Sequence, residues 1–203
     1  MKIGQLSELQ LDAIRELGNI GAGHAATALS QLTDNPIGIS TPTLEIVPFS
    51  DVPNVFGGPE RLVGAVFVKL LGDAHANMLF MADRDSSLGL VDMMRGRPPK
   101  TAMTFGLEEE RLLIHTASIL IAAFAAAIGR MTDMNVLPNT PHFALDMAGA
   151  VLESIAVQMS FSSEETIFVR TIFSSEDAFV DTALLFLPDT EALEVILGRL
   201  GVK

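Results

Sequence analysis

The sequence predicts an α/β protein of the α+β type, in which a duplicated, pseudo-twofold unit places long helices over one face of a mainly antiparallel sheet. A strand–turn–helix passage occurs twice: residues 78–83 (MLFMAD) and residues 184–189 (LLFLPD) are each followed by a short apolar helix pattern and a glycine. The predicted helices and strands around the two passages have the same order, and hairpins outnumber crossover connections. We therefore expect one domain made of two halves, at about residues 1–98 and 99–203.

The first half begins with a long amphipathic helix. Ser7 and Gln10 form a capping-box pattern, and the apolar residues after them recur at three- and four-residue steps until Asn35 and Pro36 end the helical region. The Arg-Pro-Pro-Lys segment at residues 97–100 is predicted to be a stiff linker between the halves. Between the first helix and this linker, the sequence predicts three strands at residues 43–48, 63–71 and 76–82 and a short helix at about residues 86–94.

The second half repeats this order and adds a helix at about residues 149–159, which has no predicted counterpart in the first half. Its longest apolar stretch, residues 112–128, is shorter than the roughly 20 residues of a membrane span and contains His115 and Ser118. We interpret this stretch as a buried core helix and expect no membrane insertion. The other elements of this half are predicted at about residues 107–131, 143–146, 166–173, 179–187 and 190–200.

The composition argues against several classes of function. The chain carries 25 acidic and 13 basic residues, a formal charge of -12, and this balance repels a nucleic-acid backbone. The chain has no cysteine, so disulfides and thiolate nucleophiles are excluded, and its four histidines show no metal-ligand spacing. The first residues do not lead into the apolar core of a signal peptide. We expect a soluble, cytoplasmic protein that binds no cofactor itself.

Three polar residues of the first helix are predicted to share one stripe. Successive helical residues are rotated by about 100°, which brings Asp12, Glu16 and Asn19 together, roughly 110° from the centre of the apolar stripe. Glu16 and Asn19 can then point outward while Leu9, Ala13 and Leu17 anchor the helix. A solvated helix face without a function is the alternative interpretation of these residues.

The same helix contains three glycines, Gly18, Gly21 and Gly23. Each glycine inside a helix lowers stability by about 1 kcal/mol relative to alanine, so three of them need a reason. The close approach of a partner's backbone is one reason, and a tight contact inside the protein is the other.

These residues carry a resemblance to a known family. Asp12, Glu16 and Asn19, followed after twenty-two residues by Pro42, match the pattern of the CheC, CheX and FliY chemotaxis phosphatases. The run that starts at Glu16 (ELGNIGAGHAATA) resembles the first motif of CheC, and residues 44–48 (LEIVP) resemble the segment that comes after this motif in the family. An E-x-x-N pair alone is a weak signal, but the full spacing inside this context is specific. With its duplicated layout, the sequence resembles the CheC family over essentially its whole length, and CheC most closely.

The resemblance implies hydrolysis of the aspartyl phosphate on a CheY-type response regulator. Asn19 would orient the attacking water, and Glu16 would pair with a lysine of the regulator. Asp12 and Pro42 would support the site, and the three glycines would lie at the contact with the partner. The regulator would supply the divalent metal, Mg²⁺, and the phosphorylated aspartate, so this chain needs no metal of its own.

The second half carries a degenerate copy of the motif. Counting back from Pro141 by the same spacing leads to Ser118, His115 and Arg111, in place of the expected asparagine and acid. Histidine cannot accept a lysine's charge as a carboxylate does, and serine lacks the reach of asparagine. Pro138 as an alternative anchor restores no acid–asparagine pair. We expect this copy to be catalytically silent.

Two further functions stay open. CheC-like proteins also bind the receptor deamidase CheD, so a chain with one intact site could act mainly as an adaptor for the phosphorylated regulator or for CheD. A structural domain of a flagellar-switch assembly is the other possibility. It is disfavoured because the sequence ends at Lys203 without the additional C-terminal domain that such components usually carry.

Overall fold

The computed structural model describes residues 3–33, 36–159, 165–176 and 178–202. Within these ranges the chain forms one eight-stranded antiparallel sheet and six α-helices. The helices are α1 (Glu8–Thr33), α2 (Val52–Val55), α3 (Arg84–Met94), α4 (Leu107–Thr132), α5 (Ala148–Met159) and α6 (Thr190–Arg199). The strands are β1 (Gly38–Ile39), β2 (Thr43–Pro48), β3 (Leu62–Gly72), β4 (Ala76–Asp83), β5 (Val136–Pro138), β6 (His142–Met147), β7 (Glu165–Ser174) and β8 (Phe179–Pro188).

The sheet is assembled from both halves of the sequence. The order across it is β1-β7-β8-β4-β3-β5, with β2 also pairing with β7 and β6 also pairing with β3. The first strands of each half therefore extend the hairpin of the other half, and β4 pairs with β8 at the centre. The two halves share a single sheet, while the predicted boundary near residue 98 stays a prediction.

Successive residues of each strand point to two different cores. Val66 and Val68 of β3 belong to the core on the face covered by α1, α3, α4 and α6. Ala65 and Phe67 of the same strand belong to the core on the opposite face, with α2 and α5. The two long helices, α1 and α4, lie on one face and pack against each other. The predicted fold class is confirmed.

The repeated strand–turn–helix passage is built around an aspartate at each helix start. The side chain of Asp83 accepts a hydrogen bond from the backbone N–H of Ser86 at 2.7 Å, and Asp189 accepts one from Ala192 at 2.7 Å. Each carboxylate thus satisfies a backbone donor that the first turn of a helix leaves without a partner. Because Asp83 is the cap, α3 begins two residues earlier than predicted, at Arg84.

Three short elements differ from the prediction. The helix in the second half was expected to have no counterpart, but α2 follows β2 as α5 follows β6, so this expectation is wrong. The strands β1 and β5 were not predicted, because two or three residues carry too little alternation to be recognised. The predicted end of the first helix at Asn35 lies outside the described residues, and α1 extends at least to Thr33.

The proline-rich segment between the halves is attached to α3. Asp92 is 1% exposed, and its carboxylate accepts hydrogen bonds from the backbone N–H groups of Thr101 and Ala102 at 2.8 and 2.9 Å. The backbone carbonyl of Asp92 accepts another from Arg97 at 2.9 Å. These contacts fix both ends of the segment, so it follows one path over the protein.

The helix α4 has the packing of a core helix. By length and composition alone it could cross a membrane, and it is the one such helix in the ranges that the structure describes. Half of its most apolar window is nevertheless buried inside the protein. Leu113, Leu120 and Ile121 of this helix are 0% exposed within the core that α1 and the sheet share. This agrees with the interpretation of residues 112–128 as a buried helix.

Candidate functional site

The exposed stripe of α1 carries the acid and the amide that the sequence singled out. Asp12, Glu16 and Asn19 are all exposed, whereas Leu17 on the opposite side is 4% exposed and belongs to the core. The 100° rotation per residue produces this separation, as predicted. The expectation that Leu9 anchors the helix is wrong, because its side chain is 64% exposed on the same side as Glu16.

Glu16 and Asn19 differ from the charged residues before them. Neither side chain makes a hydrogen bond or an ion pair within the described part of the chain. Asp12, by contrast, is 2.5 Å from the guanidinium of Arg15, which also lies 3.8 Å from Glu8. Arg15 was not among the predicted site residues, although its i,i+3 spacing from Asp12 is a recognisable signal. The carboxylate of Glu16 and the amide of Asn19 are thus left available to an external partner.

The glycines of α1 fall into two groups. Gly18 and Gly21 are buried, and a Cβ added at Gly21 would lie 2.9 Å from the ring of Phe124 and 3.1 Å from its Cα atom. The prediction that these two residues contact a partner is therefore wrong, since they face α4 inside the protein. A Cβ at Gly23 would have no heavy atom within 4 Å, and Gly23 is exposed. A partner contact at Gly23 stays a prediction.

Pro42 lies at the entry of an edge strand. It directly precedes β2, which pairs with β7, and it is partly buried in the connection from β1. Both β1 and β2 contact α1. Because proline has no N–H to donate, this position at the beginning of an edge strand suits it.

The degenerate residues of the second half occupy matched positions. Both α1 and α4 have 26 residues, and His115 and Ser118 stand ninth and twelfth in α4, as Glu16 and Asn19 do in α1. Arg111 and His115 are exposed, and Pro141 directly precedes β6 as its counterpart precedes β2.

The hydroxyl group of Ser118 is partly buried and donates to the backbone carbonyl of Ile114 at 2.7 Å. The α4 stripe therefore presents neither a free carboxylate nor a free amide at these two positions.

The candidate site lies on the exposed side of a helix. Two cavities of about 600 and 490 Å³ lie around residues 84–103 and 174–180, and neither is lined by α1. No group of three or more histidine, aspartate or glutamate side chains in the described ranges is arranged to hold a metal ion. A helix with an exposed acid and amide can contact another protein through these side chains.

One further charged pair lies on the opposite face of the sheet. The Nε atom of Arg170 donates to both carboxylate oxygens of Asp181 at 3.0 Å, and this hydrogen bonding raises the pKa of Arg170 above its ordinary value. An arginine is charged at any physiological pH regardless of the shift, so the pair offers no acid–base chemistry. It lines a small pocket with Asp83 and Ser86, away from α1.

Comparisons with known proteins find relatives that are similar in sequence and in fold. Residues 9–46, which include Glu16, Asn19 and Pro42, match the CheC-like family. The CheY-P phosphatase CheC of Bacillus subtilis (strain 168) is 29% identical over 202 residues, 98% of this chain and 97% of CheC. The flagellar motor switch phosphatase FliY of the same organism is 35% identical over 101 residues, 50% of this chain and 26% of FliY.

A solved structure supports the fold over nearly the whole length. The crystal structure of Thermotoga maritima FliY superimposes with a TM-score of 0.79, covering 97% of this chain and 98% of that one, at 14% sequence identity. At this identity the likeness shows the fold alone. The chain thus resembles the CheC-like family in the sequence of residues 9–46, is similar to CheC over nearly its whole length, and shares the fold of FliY.

Proposed function

We propose that this protein hydrolyses the aspartyl phosphate of a CheY-type response regulator, with Glu16 and Asn19 of α1 inserted into the regulator's active site. The full-length similarity to a CheY-P phosphatase supports a role as a chemotaxis phosphatase. The observation that carries the finer assignment is that both side chains are exposed on one stripe and have no partner within the described chain.

The chemistry requires positioning more than covalent participation. Water attacks the phosphorus, the bond from phosphorus to the aspartate oxygen breaks, and inorganic phosphate and a free aspartate result. The amide of Asn19 can accept a hydrogen bond from this water and hold it in line with the breaking bond. The carboxylate of Glu16 can pair with a lysine of the regulator and fix the orientation of the complex. The regulator would contribute Mg²⁺, which would supply positive charge next to the phosphoryl oxygens.

The surroundings of the pair fit a protein partner. Gly23 follows Asn19 by one turn of the helix and leaves open space at the surface, where a side chain would hold the partner's backbone away. Pro42 shapes the neighbouring strand entry, and the degenerate stripe on α4 contributes no second site. Such a reaction on a response regulator takes place in the cytoplasm.

Release of phosphate from a phosphorylated regulator tests the proposal. Asn19→Ala and Glu16→Ala should slow the release until it approaches the spontaneous rate of the regulator alone. Gln31→Ala is a matched control, because it removes an exposed amide from the same helix at a position outside the motif. If Asn19→Ala and the wild-type protein give the same decay curve, the assignment of the site is wrong.

An adaptor is the second candidate function. The observation in its favour is that only one of the two matched helices carries the acid–amide pair, so turnover by the protein can be slow relative to binding. In this case the protein binds the phosphorylated regulator or CheD with an affinity that does not depend on hydrolysis. Calorimetric titration of each partner beside the phosphate-release assay separates the two: tight binding with no accelerated release favours the adaptor.

A further inference from the structure

The side chain of Arg15, which lies next to the proposed site, can contact polar residues on either of two sides along the helix. Residues three and four positions apart on a helix are close enough for their side chains to interact. Arg15 therefore lies within reach of Asp12 on one side and of Asn19 on the other. In the structure its guanidinium lies 2.5 Å from Asp12 and 3.8 Å from Glu8, both toward the beginning of the helix.

A contact between Arg15 and Asn19 would interfere with the proposed reaction in two ways. An arginine has only hydrogen-bond donors, and the side-chain oxygen of Asn19 is an acceptor, so a bond between them would occupy the oxygen that should hold water. The positive charge would also move one helical turn closer to Asn19, where it would repel the regulator's lysine and metal. Both effects are avoided when the side chain of Arg15 points toward Asp12 and Glu8.

From this geometry we infer that Asp12 is a positioning residue, which together with Glu8 holds Arg15 away from Asn19 and so keeps the working face of α1 free for the regulator. The inference rests on the proposed function, since it assigns a task to residues beside that site. All three side chains are at least 41% exposed, so solvent and salt weaken the pair. An exposed ion pair of this kind biases a conformational equilibrium by up to about fivefold.

The test compares phosphate release by the wild type and four variants at one regulator concentration and at low ionic strength. The variants are the double variant at Glu8 and Asp12, the triple variant that also changes Arg15, Arg15→Ala alone and Asn19→Ala. Glu8→Ala combined with Asp12→Ala frees Arg15, and the rate should fall by about two- to fivefold. The triple variant, which also carries Arg15→Ala, should recover the rate of Arg15→Ala alone. The loss in the double variant should shrink at high salt, because screening weakens the pair that has been removed.

Three results are decisive. If the triple variant is as slow as the double variant, Asp12 contacts the regulator directly and the inference is wrong. If the double variant equals the wild type while Asn19→Ala is inactive, Arg15 needs no restraint, and the inference fails although the proposed function stands. If Asn19→Ala itself equals the wild type, the proposed function fails, and this is seen independently of Asp12. Thermal unfolding of each variant shows whether α1 has stayed folded.

Discussion

Two glycines of α1 that are two residues apart should respond in opposite ways to the same substitution. Alanine is favoured over glycine inside a helix by about 1 kcal/mol. At Gly23 the new methyl group meets no heavy atom within 4 Å, so Gly23→Ala should raise the free energy of unfolding by about 0.5–1 kcal/mol. At Gly21 the methyl group would lie 2.9 Å from the Phe124 ring and 3.1 Å from its Cα atom. Rotation of the ring alone cannot relieve a contact with the backbone of α4.

The contact at Gly21 should outweigh the gain in helix propensity. Overpacking a well-packed contact costs about 1–3 kcal/mol, against a gain of about 1 kcal/mol, so Gly21→Ala should lower the free energy of unfolding by up to about 2 kcal/mol. In a chain of 203 residues, each 1 kcal/mol corresponds to a change in Tm of about 2–4 °C. Urea denaturation and thermal unfolding measure both variants. Equal stability of Gly21→Ala and Gly23→Ala would refute the close packing of α1 on α4.

The same pair of variants connects stability to activity. Gly23→Ala should release phosphate from the regulator more slowly than the wild type although the protein is more stable, because the added methyl group lies on the stripe of Asn19. Gly18→Ala is the matched control: its Cβ would make an ordinary contact of 3.9 Å with the Phe124 ring, on the buried side of α1. If Gly23→Ala keeps full activity, no partner backbone approaches at this position.

Two further predictions concern residues outside the α1 stripe. Asp92→Ala leaves two backbone N–H groups at residues 101–102 without their acceptor, and it should lower the free energy of unfolding by about 1.5–3 kcal/mol in chemical denaturation. Asp85→Ala, an exposed aspartate on the same helix, should change it far less, and similar losses in both would contradict the role of Asp92. His115→Ala combined with Ser118→Ala should leave phosphate release unchanged, whereas a loss would show that the second half takes part in the reaction.

Elements with a long, regular pattern could be predicted from the sequence, and those fixed by pairing could not. The 26-residue helices show a period of 3.6 over many residues, and the hairpin strands are long, almost continuously apolar runs, because residues on both of their faces are buried. The two-residue β1 exists because Gly38 and Ile39 pair with Ser174 and Phe173 of β7. This information lies more than 130 residues away in the chain, so no local window contains it.

At the candidate site, too, local features could be predicted from the sequence and features that depend on distant residues could not. Helical rotation alone predicts that Glu16 and Asn19 share an exposed stripe, and their proposed roles come from the resemblance to the CheC family. Which glycine faces the inside depends on Phe124, a residue about a hundred positions later, and so Gly21 was assigned to the wrong side. The pair of Asp12 and Arg15 was not predicted, although it is local and its i,i+3 spacing is visible in the sequence.

The duplicated helices have diverged on both of their faces. The fourteenth and eighteenth residues of each helix are buried. In α1 they are Gly21 and Ala25, whereas in α4 they are the larger Leu120 and Phe124. The small residues of α1 make room for the large ones of α4, so the contact between the two helices depends on their being different. A substitution on the buried side of one helix therefore changes the support of the other. On this basis α1 presents the exposed acid and amide, and α4 serves to hold α1 in place.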